Sequence, residues 1–397
     1  MRVIYRASLF ALICLIAACA VHNKNRAIKA KMREETDASL AMAHGWLVSK
    51  HATDETAALF YNMKLIAKKQ VMFGHMEDNR NGYDGWKNTP GRSDVKEVTG
   101  AYPVVYGFDF GGIASFRPDS IVDKEAKITH DKVIEAYKRN GLITFSWHYS
   151  NPVSKGSFYW KQSPVNAVSE ILPGGNYNAV FKTSLEKIAR FAATIKHKGK
   201  LIPVIFRPFH EFDGDWFWWG KAHCSTDDYK ALYRYTVTYL RDSLHVRNFL
   251  YAWSPDCGFN SKEKYTERYP GNEYVDIVGM DDYYDLRVGQ SPSVAAGKLK
   301  IVSDFAIEQN KVAALTETGL ENLPQADWYT NMLLEALKES SAQIAYVLVW
   351  SNRPSSFWTP YKGHPAEADF IAFKNDPYLL FGDKIWDLYR ISPDEIH

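Results

Sequence analysis

Two glutamates in this 397-residue chain stand where paired carboxylates could do chemistry. Glu211 lies in RPFHEFDGDWFWWG, residues 207–220, immediately before a dense aromatic patch, and Glu317 lies in ALTETG at the end of a distant apolar run. A carboxylic acid that donates a proton and a carboxylate that attacks carbon are what glycosidic bond hydrolysis requires, provided the fold brings the two together. The aromatic patch suits such a substrate, because indole and phenyl rings stack on apolar sugar faces by dispersion and burial. Trp and Phe are more often core residues, and Glu is more often a solvated surface charge. Here Asp213, Gly214 and Asp215 break the run with turn-forming residues, so Trp216 to Trp219 are expected to begin in a loop and to form an exposed sugar platform.

The elements that would position these residues follow from the periodicity. Eight short apolar, β-rich runs occur at 71–74, 103–110, 142–147, 202–206, 248–253, 275–280, 312–316 and 344–350. Amphipathic helical stretches such as 183–196, 227–244, 292–309 and 328–340 alternate with them. Strand alternating with helix eight times predicts a parallel (β/α)8 TIM barrel. In that fold the C-terminal strand ends carry the active site. His75, Glu77, Asp109, His148, His210, Glu211, Asp256, the 281–284 segment, Glu317 and Trp350 would then ring one mouth. A helix over 53–69, N-capped by Thr53 or Asp54, is expected against the barrel base or side. The insertion at 150–175, with Phe158, Tyr159 and Trp160, is expected to wall the cleft.

Length and composition fit one large enzyme domain, with no repeat, low-complexity tract or linker to divide it. Forty-eight basic residues against 46 acidic ones leave a formal charge of +2, which favours neither nucleic acid nor an acidic polymer and points to a neutral partner. Arg2 and Arg6, followed by an apolar stretch over 7–16 too short to span a bilayer, read as an export signal. LIAAC at 15–19 resembles a bacterial lipobox, which implies cleavage before Cys19 and lipidation there, against the alternative of a simple secretory signal. The organisation expected is a signal peptide over 1–18, a tether over 19–52 and a barrel over 53–397. The protein would be exported and held to a bacterial membrane, outer-membrane or periplasm-facing, by its lipid alone. Cys14 leaves with the signal, and Cys224 and Cys257 remain, either as a disulfide or as two packed thiols. No clustered Cys/His spacing suggests a metal, and no cofactor is expected.

Together, RPFHEFDGDWFWWG after the fourth strand, VGMDDYY at the sixth, LTETG at the seventh and LVW at the eighth resemble the clan-A retaining glycoside hydrolases, and among them the family 26 β-mannanases. The resemblance runs from about Gly74 to Trp350, and His210 stands before Glu211 where most other clan-A families have Asn. It implies Glu211 as proton donor and Glu317 as nucleophile in a double displacement on mannan, galactomannan, glucomannan or manno-oligosaccharides. It further implies that Trp350 floors the subsite at the scissile bond, that Trp216 and Phe217 lie on the leaving-group side, and that His148 and Trp160 hold sugars beyond. His210 would orient Glu211 or contact sugar, and Tyr284 or Tyr283 would hydrogen-bond Glu317. Asp282, Asp109 and Arg207 would bind hydroxyls or position the carboxylates. An exo-acting, mannobiose-releasing enzyme, a xylan or mixed-linkage glucan hydrolase, and a noncatalytic glycan-binding lipoprotein are the alternatives. The joint presence of Glu211 and Glu317 argues against the last.

Overall fold

The computed structural model describes residue 26 and residues 29–391; the export segment, with Cys14 and the lipidation candidate Cys19, lies outside the described residues. Eight strands build the barrel, β1 (Val71–Met76), β2 (Val105–Asp109), β3 (Leu142–Trp147), β4 (Val204–Pro208), β5 (Phe249–Trp253), β6 (Ile277–Asp282), β7 (Val312–Thr318) and β8 (Ile344–Val349), and a ninth, two-residue strand, Leu379–Leu380, joins the sheet beside β1. Each neighbouring pair is parallel, and β8 returns to β1 with Val347 opposite Phe73, which closes the sheet into the (β/α)8 barrel. Strands covered on both faces bury nearly every residue, which is why they read as continuous runs of Val, Ile, Leu and Phe rather than as alternating patterns. β2 begins two residues later than its apolar run because Pro103 has no N–H to give the ladder.

The barrel base is sealed by the chain that precedes β1. Thr53 caps the helix Asp54–Ile66 by accepting from Thr56 N at 3.2 Å. Leu59, Phe60 and Met63 of that helix join Met72, Leu142, Ile205, Leu250 and Ile277 in one buried cluster. Val48 N donates to Asp276 Oδ1 at 2.8 Å and Thr53 N to Arg247 O at 2.9 Å, so residues 48–53 lie across the N-terminal ends of β5 and β6. Among the described residues no helix is long and apolar enough to cross a membrane.

One irregularity matters for the site. Met280 pairs with Leu315 but Asp281 pairs with Glu317, so Thr316 is an extra residue bulged out of β7. A bulge re-aims the side chains beside it. Here it sets Glu317 level with Asp281, and Thr316 Oγ1 donates to Asp281 Oδ1 at 2.6 Å. Gly279 leaves the room: a Cβ there would sit 2.6 Å from Thr316 Cγ2.

Candidate active site

Glu211 leaves the end of β4 through a tight turn. Phe209 and Glu211 both take left-handed backbone, φ 52° and 53°, on either side of His210, and the turn is fixed by Glu211 N donating to Ser254 O at 3.0 Å. Non-glycine residues adopt that region at a cost of about 1–2 kcal/mol each, which the surrounding packing must offset. Glu317 arrives from the bulged end of β7. One Glu211 carboxylate oxygen lies within 4.8 Å of a Glu317 oxygen, of an Asp281 oxygen and of a His210 ring nitrogen. Glu211 and Glu317 are therefore brought together from residues 106 apart in sequence, as their types predicted.

Their environments differ. Arg207, itself buried, donates Nη2 to Glu317 Oε1, and donates Nη1 to Asp281 Oδ2 at 2.7 Å and to Ser254 Oγ at 3.1 Å. Tyr283 Oη donates to the other Glu317 oxygen at 3.1 Å. These donors match both Glu317 oxygens and fix the orientation of the carboxylate. Among the described residues no cation pairs with Glu211, and the Trp216 indole N–H is its only side-chain donor, at 2.6 Å. Burial, then the charges of Asp281 and Glu317, pushes its carboxyl well above the usual range despite that donor. Of the two glutamates, Glu211 is the one placed to retain a proton.

Two histidines complete the floor. His148 gives Nδ1 to Asp109 Oδ2 at 2.7 Å, and although burial opposes its charging, Asp109 holds the imidazolium above the ordinary histidine range. Asp109 also accepts from Ser146 Oγ at 2.8 Å and His148 N at 3.1 Å. His210, 4.7 Å away between ring centroids, is pushed well below that range by burial, Arg207 and His148. Both of its ring nitrogens are buried without a partner among the described residues, which leaves them for a ligand. Trp350 lines a groove of about 420 Å³ with Glu77, Asp109, His148, Tyr159 and Arg353.

The insertion at 150–175 is fastened to the loop after β4. Trp160 N donates to Trp216 O at 2.7 Å, and the half-buried Trp160 indole lies flat on the His223 ring at 3.7 Å. Trp216 is half-buried. Phe217, Trp218 and Trp219, expected in an exposed platform, are instead core residues: the Trp218 and Trp219 indoles donate to Tyr149 O and His210 O at 2.7 and 2.8 Å. Phe217 keeps an edge against His148 and His210, beneath the cleft rather than open to it.

Three further expectations need correcting. Asp282 does not enter the cleft. Successive strand residues face opposite sides, and Asp281 is the one turned toward Arg207, while Asp282 is fully buried, accepts from Asp285 N at 2.9 Å and is raised to about 7 by burial and Asp285. Of the two tyrosines, Tyr283 reaches Glu317; Tyr284 is 55% exposed, with the Arg287 guanidinium 3.7 Å above its ring. His75 turns away from the mouth into a buried pair with Asp78 at 3.0 Å. Cys224 and Cys257 are both free thiols. Asp281, expected at the mouth only as part of the 281–284 segment, is the acid of that segment that shares Arg207 with Glu317; nothing local in the sequence marks the bulge that aligns the two.

His210, Glu211, Asp281 and Glu317 stand close enough to surround a cation, but Arg207 already supplies the positive charge to two of them. A second group, Cys257, Asp282 and Asp285, is likewise met by Lys298, whose Nζ also donates to Cys257 O at 2.6 Å.

The family model described as glycosyl hydrolase family 26 matches residues 48–362. A mannan endo-1,4-β-mannosidase of Bifidobacterium adolescentis is 37% identical over 84% of this chain, which spans 35% of that relative's length. One from Bacillus subtilis is 29% identical, with 66% of this chain and 70% of the relative covered. Among solved structures, a family 26 protein from Muricauda sp. is 37% identical with a TM-score of 0.85, covering 89% of this chain and 98% of the other. A family 26 β-mannanase from Bacteroides ovatus is 37% identical with a TM-score of 0.78, covering 85% and 98%. This chain belongs to glycosyl hydrolase family 26.

Proposed function

We propose that the protein hydrolyses internal β-1,4-mannosidic bonds in mannan, galactomannan, glucomannan and manno-oligosaccharides by a retaining double displacement. The observation that carries this reading is the asymmetric carboxylate pair: Glu317, clamped by Arg207 and Tyr283, within 4.8 Å of the proton-retaining Glu211. Retaining enzymes keep their two carboxyl groups about 5–5.5 Å apart, whereas inverting ones leave about 6.5–9.5 Å for a water. Glu211 protonates the departing glycosidic oxygen while Glu317 attacks the anomeric carbon. Once the aglycone has left, Glu211, now a base, takes a proton from the water that releases the sugar. Trp350 lies beneath the sugar at the scissile bond, Trp216 stacks on the leaving-group side, and the vacant His210 nitrogens and His148 bind hydroxyls. The half-buried Trp160 serves a sugar farther along. The names of the curated relatives support mannan as the substrate.

Proton NMR during early hydrolysis of mannopentaose should show the β-anomer first, with products of several lengths from mannan and little release from xylan or mixed-linkage glucan. An α-anomer appearing first would remove Glu317 from its role, mannobiose as the sole product would mean exo action, and a preference for xylan or glucan would change the substrate. We also propose that the chain is exported and lipidated at Cys19, a reading that rests on the LIAAC segment. Mass spectrometry of the mature amino-terminal peptide should find a diacylglyceryl cysteine; an unmodified terminus at another residue would make the segment an ordinary secretory signal.

A further inference from the structure

The formal charge of +2 conceals a separation of charge along the barrel axis. Glu77, Glu211, Asp213, Asp256, Asp281 and Glu317 all lie at the C-terminal, mouth end of the strands. At the opposite end, the turns leading into β1, β3, β4 and β5 carry Lys68, Lys69, Lys138, Lys196, Lys198 and Arg247, all exposed, and none of them pairs with a carboxylate among the described residues.

Cations just after a helix complement its dipole, which explains their placement one by one. It does not explain their lack of partners. Lys338 and Lys374, elsewhere on the same end, are matched by Asp376 and Asp383, and Lys200 by Glu55. Lys138, Lys196, Lys198 and Arg247 precede three neighbouring strands, β3 to β5, and Lys68 and Lys69 precede β1, on the far side of β2. Next to them a concavity of about 640 Å³ opens beside residues 46–51, lined by Lys50, His51, Arg241, His245 and Arg247, with Asp242 and Glu273 as its acids. Residues 48–53 cross this same end, so the chain toward its amino terminus departs from the face opposite the cleft.

We infer that the basic end of the barrel docks on an anionic bilayer, its cations against lipid headgroup phosphates, and so turns the cleft away from the membrane. A molecule with one acidic and one basic end aligns in the field of a negative surface. Each Lys or Arg at such a surface contributes about fivefold in affinity, and the attraction fades within a Debye length. Polysaccharide would then reach the mouth without crossing the headgroups.

The test is a lysine footprint of the full chain. Acetylation rates at Lys68, Lys69, Lys138, Lys196 and Lys198 would be read by mass spectrometry with vesicles of phosphatidylcholine alone and with about 30% phosphatidylglycerol added. The anionic vesicles should slow acetylation at these lysines at least about fivefold, and about 0.5 M salt should abolish the difference. Lys161 and Lys221, on loops at the mouth, should not change. In a Lys138→Glu, Lys196→Glu, Lys198→Glu variant the protection of Lys68 and Lys69 should disappear, while hydrolysis of soluble manno-oligosaccharides, which reports correct folding, stays at its wild-type rate. Equal rates in the two vesicles, or undiminished protection in the active variant, would overturn the inference. Acylation at Cys19 does not decide the outcome, since an anchor alone protects nothing selectively on anionic vesicles.

Discussion

Glu317→Ala is expected to lower turnover of mannan by roughly four orders of magnitude or more, and Glu211→Ala by a comparable factor, because both act in one transition state. Leaving groups separate them. An aryl mannobioside whose phenol departs unprotonated should restore the first step in the Glu211 variant and leave the Glu317 variant inactive. Glu211→Ala should not impair folding, because Glu211 is held near like charges and its removal relieves repulsion; in Glu317→Ala, Arg207 loses one carboxylate and keeps Asp281 as its partner. The raised proton affinity of Glu211 also fixes the sign of a pH effect. The Trp216 indole donates to Glu211 and favours its charged form. Trp216→Phe should therefore raise that proton affinity further and move the alkaline limb of kcat/KM to higher pH. A limb that moves down would mean that Glu211 is not the acid, and near wild-type hydrolysis of mannan by either alanine variant would sink the pair.

Much of this site is legible in the sequence because barrel geometry does the sorting. Eight apolar runs alternating with helices put every strand end at one mouth, and Glu211 and Glu317 each end such a run. What the sequence hides is decided by single-residue register. Asp281 and Asp282 are adjacent acids, and Tyr283 and Tyr284 adjacent phenols; which of each pair faces Glu317 depends on the Thr316 bulge, and no local signal marks it. Aromatic loops carry the same ambiguity. In Trp216 to Trp219 the turn residues correctly indicate a loop, yet Trp218 and Trp219 fold back to place their indole N–H groups on Tyr149 and His210. A loop long enough to return to the barrel can bury what a short one would expose.

Arg207→Met should be the most damaging change outside the carboxylate pair, and it distinguishes a charge clamp from a mere packing contact. Asp281 and Glu317 are paired in register on neighbouring strands, both nearly without solvent, and the guanidinium is their shared cation. Breaking one side of a buried ion pair typically costs about 3–5 kcal/mol, because the charge left behind is neither solvated nor matched. The variant can escape only by protonating a carboxyl, so at least one of these groups should bind its proton more tightly folded than unfolded. Stability is then retained below the unfolded-state carboxyl range and lost as pH rises toward the elevated folded-state value. The melting temperature should fall short of wild type by much more at about pH 8 than at about pH 5. Adding Asp281→Asn removes the repulsion and should recover most of the stability at high pH, but not the activity, since Glu317 still lacks the guanidinium that orients it. Arg207→Lys keeps the charge but not the fork that serves two carboxylates at once, so it should recover stability ahead of turnover. A stability deficit independent of pH, undiminished by Asp281→Asn, would reduce Arg207 to a packing role and leave Tyr283 as the group that holds the nucleophile.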